Sequence, residues 1–243
     1  METILQTNQL VRRFGGLVAV NRVDFSLEKG EVRGLIGPNG SGKTTLINII
    51  TGVYEPTSGN VTFNNENISG LPPNQIARKG VLRTFQVPRL FGSMSVIENM
   101  LITRFANFSL GYRKHYDEAV GQADELLTTA NLMHLRDEKA KTLSGGQKAL
   151  VQFMRAFMVN NLQVLLLDEP FAGVNVIVKE TMMDMIIRKA AEGITFLVVS
   201  HEMTSIRRLC PRVTVLAEGA VITEGSMDQI VANEQVISAY LGG

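Results

Sequence analysis

Three short segments carry residue types that can do chemistry, and their order along the chain matters. Gly37-Pro38-Asn39-Gly40-Ser41-Gly42-Lys43-Thr44 comes first, then Leu143-Ser144-Gly145-Gly146-Gln147, then Val164-Leu165-Leu166-Leu167-Asp168-Glu169-Pro170. The first matches G-x-x-x-x-G-K-[ST] and lies between two apolar stretches, Val32 to Ile36 and Leu46 to Ile50. Its glycines let the backbone curl so that consecutive N–H groups converge on phosphate oxygens. A helix starting at the loop adds the positive end of its dipole. Lys43 then reaches the β- and γ-phosphates of a nucleotide, and the Thr44 hydroxyl is a Mg2+ ligand, with Thr45 closing the phosphate-contacting set.

The third segment is an apolar strand that delivers two carboxylates to its polar end. Asp168 is suited to hold Mg2+ through its waters, and Glu169 to orient and activate an attacking water. The middle segment is less specific alone. Ser144 is a good N-cap, and Gly145 and Gly146 expose N–H groups at the start of an apolar helix, Leu150 to Val159. Read alone, that is either an ordinary capped helix start or a second anion site; a chain already holding phosphate at residues 37–44 has no obvious use for the latter unless it serves another subunit's nucleotide.

The elements that must position these groups can be read from periodicity. Gln9 to Phe14 and Val23 to Leu27 are strand-like, and Val32 to Ile36 is a short buried strand feeding the glycine loop. Leu46 to Ile50 continues as a helix, and Gly59 to Phe63 is a further strand. Between about Pro88 and Leu143 strand signals fade. There Ala119, Val120, Ala123, Leu126, Leu127, Ala130 and Leu132 recur at helical spacing. The α/β alternation resumes with a strand at 164–167, a helix at about 176–191 and a strand at 194–199. Two short strands near 213–217 and 220–223 follow, then a capping box at Ser226 to Gln229. In the last helix Val236, Ile237, Tyr240 and Leu241 share a face.

Composition sets the outer bounds. With 243 residues, 45% hydrophobic and 19% charged, the chain folds as one large domain or a domain with an insertion. A net charge of +1 gives no overall field directed at nucleic acid, so no nucleic-acid partner is expected. Cys210, the one cysteine, precludes an internal disulfide and reads as a small buried hydrophobe. Thr3 to Val11 lacks the sustained apolar core of a signal peptide. Apolar runs such as Phe196 to Val199 fall far short of the roughly 18 residues a spanning helix needs. Work at a membrane would be that of a peripheral partner. His115 and His134 read as solvated, and Met182, Met183 and Met185 as core filling.

The glycine loop, Gln86, Leu-Ser-Gly-Gly-Gln, Leu-Leu-Asp-Glu-Pro and His201, in this order, resemble an ABC-transporter ATP-binding subunit along essentially the whole chain. The resemblance implies an α/β, RecA-like P-loop NTPase core with an N-terminal antiparallel β subdomain and an inserted helical subdomain. Residues 1–87 and 160–243 would form the core within a single domain, and about 88–159 the helical part carrying Ser144 to Gln147. It implies a head-to-tail dimer with a second ATPase subunit, homo- or heteromeric, closing on two ATP with Mg2+. Each ATP would lie between one phosphate loop and the other subunit's Ser144, Gly145, Gly146 and Gln147. Gln86 would contact Mg2+ and the attacking water, His201 the γ-phosphate, and Phe14 would stack on adenine. Asn175 would make a cross-dimer contact, although Phe171-Ala172-Gly173-Val174 departs from the usual Leu before Asp or Asn. Lys148-Ala149 stands where bulkier polar pairs are common. No catalytic group is lost, so an active ATPase is expected.

Arg13-Phe14-Gly15-Gly16, Gly80 to Gln86, Leu90-Phe91, Met94 to Asn99 and the ending Val236 to Gly242 resemble the importers of branched-chain and other hydrophobic amino acids. This implies transmembrane permease subunits, indirectly a substrate-binding protein, and a peripheral place on the cytoplasmic face of the inner membrane. Residues about 87–100 would line the groove for a permease helix. Urea/amide importers share much of this pattern, Glu169-Pro170-Phe171-Ala172-Gly173-Val174 also resembles the lipopolysaccharide-export ATPase, and a soluble ABC-type ATPase of iron–sulfur cluster assembly would be similarly short. A GTPase or phosphotransferase would leave Leu143 to Gln147 unexplained, and the sequence has no Asn-Lys-x-Asp guanine-reading segment.

Overall fold

The computed structural model describes residues 2–84, 89–105 and 112–241. Long period-two alternation builds the first hairpin. β1 (Thr3–Phe14) and β2 (Leu17–Glu28) pair antiparallel across Gly15-Gly16, burying Leu5, Leu10, Val20, Val23, Phe25 and Leu27. β3 (Val32–Ile36), buried at all five positions, runs into the glycine loop and α1 (Lys43–Ile50). β4 (Ser58–Phe63) and the two-residue β5 (Glu66–Asn67) complete a four-stranded sheet in the order β2-β1-β4-β5. α2 (Pro73–Lys79) ends on Gly80 at φ 110°, and β6 (Val81–Arg83) follows. Neither shows in the hydrophobic pattern, because seven and three residues are too few for a period to emerge.

The remaining α-helices and strands are α3 (Val96–Phe105), α4 (Tyr112–Thr129), α5 (Gly145–Ala156), β7 (Val164–Asp168), α6 (Val176–Ala191), β8 (Thr195–Val199), α7 (Met203–Leu209), β9 (Arg212–Ala217), β10 (Ala220–Gly225), α8 (Met227–Val231) and α9 (Glu234–Leu241). β10-β9-β3-β8-β7-β6 form a six-stranded sheet, parallel throughout except for β10 against β9. β3, β7 and β8 are buried at every residue, as strands covered on both faces must be. This is the mixed α/β P-loop architecture that the sequence implies.

The register aligns the strand ends. Leu35 pairs with Val199, Asp168 with Val199, and Arg83 with Leu166. The carboxyl ends of β3, β6, β7 and β8 therefore reach one edge, where open α/β sheets bind ligands.

The chain divides into two compact units. Met1–Arg83, Gln163–Pro170 and Ile186–Gly243 form one, which holds both sheets; Thr84–Leu162 and Phe171–Met185 form the other, which is helical. The second unit thus takes in residues 171–185, a stretch the sequence reading assigns to the core. In it Ala119, Ala123, Leu126, Leu127, Ala130 and Leu132 are buried, as are Met182, Met183 and Met185. His115 and His134 are exposed.

The first unit also buries a charge. Arg33, 0% exposed on β3 of the six-stranded sheet, bonds Glu31 Oε1 through Nε at 2.5 Å and Thr214 Oγ1 through Nη1 at 3.0 Å, with Glu224 Oε1 3.2 Å from Nη1. Cys210 is buried too, and desolvation pushes its thiol pKa up to about 12, consistent with a small packed hydrophobe.

Candidate functional site

The phosphate loop is shaped by its glycines. Gly37, Gly40 and Gly42 have φ of 151°, 79° and 101°, a region L side chains rarely adopt. A Cβ on Gly37 would lie 2.1 Å from the Leu216 carbonyl oxygen, and one on Gly42 would lie 2.4 Å from that of Ala19. The loop backbone is thus seated directly against β9 and β2. Ser41 is buried while Thr44 is exposed at the start of α1. The Lys43 ammonium donates to the carbonyls of Gly37 at 2.7 Å and Pro38 at 2.9 Å, and to the Ser41 hydroxyl at 3.3 Å. Burial lowers its pKa, while the charges of Glu169 and Asp168 act in the opposite direction.

Both carboxylates stand at the same edge. Asp168 ends β7 nearly buried, and its Oδ2 accepts from Arg83 Nη2 at 2.7 Å. Glu169 sits just past the strand at φ 49°, with its N–H donating to the Val199 carbonyl at 2.8 Å. Its Oε2 accepts from the Ser200 hydroxyl at 3.2 Å and the His201 N–H at 3.4 Å, and His201 Nδ1 lies 3.0 Å from Oε1. The loop, Asp168, Glu169 and His201 therefore converge as a set.

Phe14 ends β1, 39% exposed. Tyr54 meets it edge-on with centroids 5.2 Å apart, and the Arg12 guanidinium lies 4.6 Å from its centroid. One side of the ring is thus braced by a cation–π contact, a position compatible with stacking on the other. Gln86 lies outside the described residues.

Ser144 to Gln147 belong to the helical unit. The Ser144 Oγ accepts from the Gln147 N–H at 3.3 Å, and the Ser144 N–H donates to Gln147 Oε1 at 2.9 Å, a complete capping box at the head of α5. In the same unit, the Asn175 Oδ1 accepts from the Val178 N–H at 2.9 Å. Ser144→Ala is expected to lower stability by about 1 kcal/mol, read from urea unfolding, because the N3 amide loses its acceptor.

The sequence reading leaves out three residues beside the site. Arg83 has one visible signal, a lone charge closing the apolar pair Val81-Leu82. Ser200 has none, since a serine after a strand is common. Tyr240 is read only as part of an apolar face. It does line an apolar cleft of about 290 Å³ with Ile36, Met203, Met227, Ile230 and Val236. Burial raises its hydroxyl pKa, and a hydrogen bond with the Gly37 backbone acts against that.

A glycine loop after the middle strand of a parallel sheet, facing two carboxylates on the next strand but one, defines a P-loop nucleotide hydrolase. The ABC transporter family model matches residues 20–172, and the model for the branched-chain amino acid ATP-binding cassette transporter matches residues 220–243. A protein of Archaeoglobus fulgidus named "Probable branched-chain amino acid transport ATP-binding protein LivG" is 39% identical over 246 residues, covering 98% of this chain and 95% of the relative. The crystal structure of an ATP-binding cassette of an ABC transporter in its ADP conformation aligns with TM-score 0.88 at 34% identity over 100% of both chains. A dimeric cassette in a post-hydrolysis state, bound to ADP and Pi, aligns with TM-score 0.77 at 26% identity over 92% of this chain and 99% of that one. The chain belongs to the ABC transporter family, as one of its ATP-hydrolysing subunits.

Proposed function

We propose that this chain powers an importer of branched-chain or other hydrophobic amino acids, docked on the cytoplasmic face of the inner membrane through permease subunits. The observation that carries the hydrolytic half is the convergence of Lys43, Asp168, Glu169 and His201 on one sheet edge. The cargo rests on whole-length similarity to a branched-chain amino acid transport protein and on the C-terminal family match. Among the described residues no helix is long and apolar enough to cross a membrane.

In the reaction, phosphate oxygens of ATP take the Lys43 ammonium from the carbonyls of Gly37 and Pro38, and the loop N–H groups cradle the β-phosphate. Phe14 stacks on adenine. Glu169, aimed by Ser200 and His201, orients a water and accepts its proton as the oxygen attacks the γ-phosphorus. The bond to the bridging oxygen breaks, and ADP and inorganic phosphate form. His201 contacts the γ-phosphate, and Gln86 the attacking water. A second ATPase subunit supplies its segment equivalent to Ser144 to Gln147 to the far side of the nucleotide, a reading supported by the dimeric form of one relative bound to ADP and Pi.

Among the described residues no group of three His, Cys, Asp or Glu side chains could hold a metal alone. Thr44 and Asp168 are hard oxygen donors, and Mg2+ takes few protein ligands while completing its shell with phosphate and water, so the residues fit a metal that arrives with ATP. Thr44, Asp168 and Gln86 would hold it. Bound Mg2+ neutralises charge on the β- and γ-phosphates.

Uptake of labelled leucine, isoleucine and valine by a strain lacking this chain tests the assignment. Uptake is expected to be lost and to return with the wild-type chain but not with Glu169→Gln. Unchanged uptake of all three in the deletion strain would sink the cargo assignment.

A further inference from the structure

Arg83 ends β6, the edge strand of the six-stranded sheet, yet its side chain is only 14% exposed. An edge-strand arginine with no task would extend into water, since its charge costs free energy to bury. This one turns inward and divides its fork. Nη2 donates to Asp168 Oδ2 at 2.7 Å, and Nη1 donates to Asn48 Oδ1. Asn48 lies on α1 four residues after Thr44, hence on the same helix face. The Asn48 carbonyl accepts from the N–H groups of Val53 at 2.8 Å and Tyr54 at 3.1 Å, so this residue also anchors the exit of the helix. A single planar guanidinium thus bridges a helix and a strand, and those two elements present Thr44 and Asp168.

We propose that Arg83 is a positioning residue for the metal site, setting the placement of Asp168 relative to α1. The proposal rests on the reading of Thr44 and Asp168 as the metal-holding side chains. A carboxylate offers about four lone-pair sites, so one bond to Arg83 leaves Asp168 capacity for metal-bound waters. Arginine suits this role where lysine does not, because only a planar fork fixes two acceptors at a set angle.

The test measures Mn2+ binding to the ADP complex of the full chain by electron paramagnetic resonance, a readout that needs no turnover. Arg83→Gln is expected to weaken Mn2+ affinity about 10-fold, the scale of an outer-sphere loss, while ADP affinity measured in EDTA stays at the wild-type value. Asn48→Ala, which cuts the other arm without touching the carboxylate, shifts Mn2+ affinity in the same direction. Unchanged Mn2+ affinity in Arg83→Gln overturns the proposal, as does a parallel loss of ADP affinity in EDTA, which marks general disruption of the loop. Full recovery in Arg83→Lys also overturns it, because charge alone would then suffice. Asp168→Asn separates the two levels. If it leaves Mn2+ binding intact, the metal reading fails; if it weakens Mn2+ binding and Arg83→Gln does not, only the role of Arg83 fails.

Discussion

Glu169→Gln is expected to bind ATP as the wild type does and to hydrolyse it about 10²–10⁴-fold more slowly, the usual contribution of a positioned general base. The amide has the volume of the carboxylate and keeps an oxygen for the Ser200 hydroxyl and the His201 N–H that hold Glu169. It cannot take a proton from water. Binding depends on other groups, Lys43 and the loop amides, which the substitution leaves alone. A fluorescent nucleotide titration and a phosphate-release assay separate the two effects. On a sizing column, ATP should shift this variant to a dimer that persists, because the closed state is left only through hydrolysis. Turnover near the wild-type rate would reassign the base.

The largest stability effect is expected far from that edge, at Arg33→Met. Removing one partner of a buried ion pair typically costs about 3–5 kcal/mol, since the remaining charge loses compensation without regaining water. Here Glu31, at 13% side-chain exposure, would lose its cationic partner, while Glu224, at 23%, would lose one of two and keep Arg212 at 2.6 Å. Thr214 would lose a donor as well. Chemical denaturation gives the loss directly. Adding Glu31→Gln to Arg33→Met should recover part of it, as expected for residues sharing one network. A loss no larger than that of an ordinary surface change, about 0.5 kcal/mol, would show that water reaches this network.

Arg33 also shows what a linear reading can miss. Val32 to Ile36 reads as a buried strand from its apolar residues, and it is one, but the pattern says nothing of a guanidinium buried among them. Its partners Thr214 and Glu224 lie 181 and 191 positions further along the chain and are joined to it only by sheet order. Arg83 has the same cause, since its contacts with Asn48 and Asp168 depend on how β6 pairs with β7. The glycine loop and the acidic strand end were legible because their chemistry is local: backbone curl, helix start and strand end all fall within about eight consecutive residues. The N-cap at Ser144 and the capping box at Ser226 were legible for the same reason. α2 and β6 were not, being shorter than the window in which amphipathicity can be detected.

The backbone at Glu169, at φ 49°, lies in the left-handed region, where a side chain with a Cβ costs about 1–2 kcal/mol. Glycine or asparagine would adopt that turn more comfortably. A laboratory selection rewarding only heat tolerance would therefore find an advantage at the very position that activates water. Each such gain would yield a hardier protein that no longer turns over. Any campaign to toughen this motor subunit has to score phosphate release alongside melting temperature, or it will enrich inert clones.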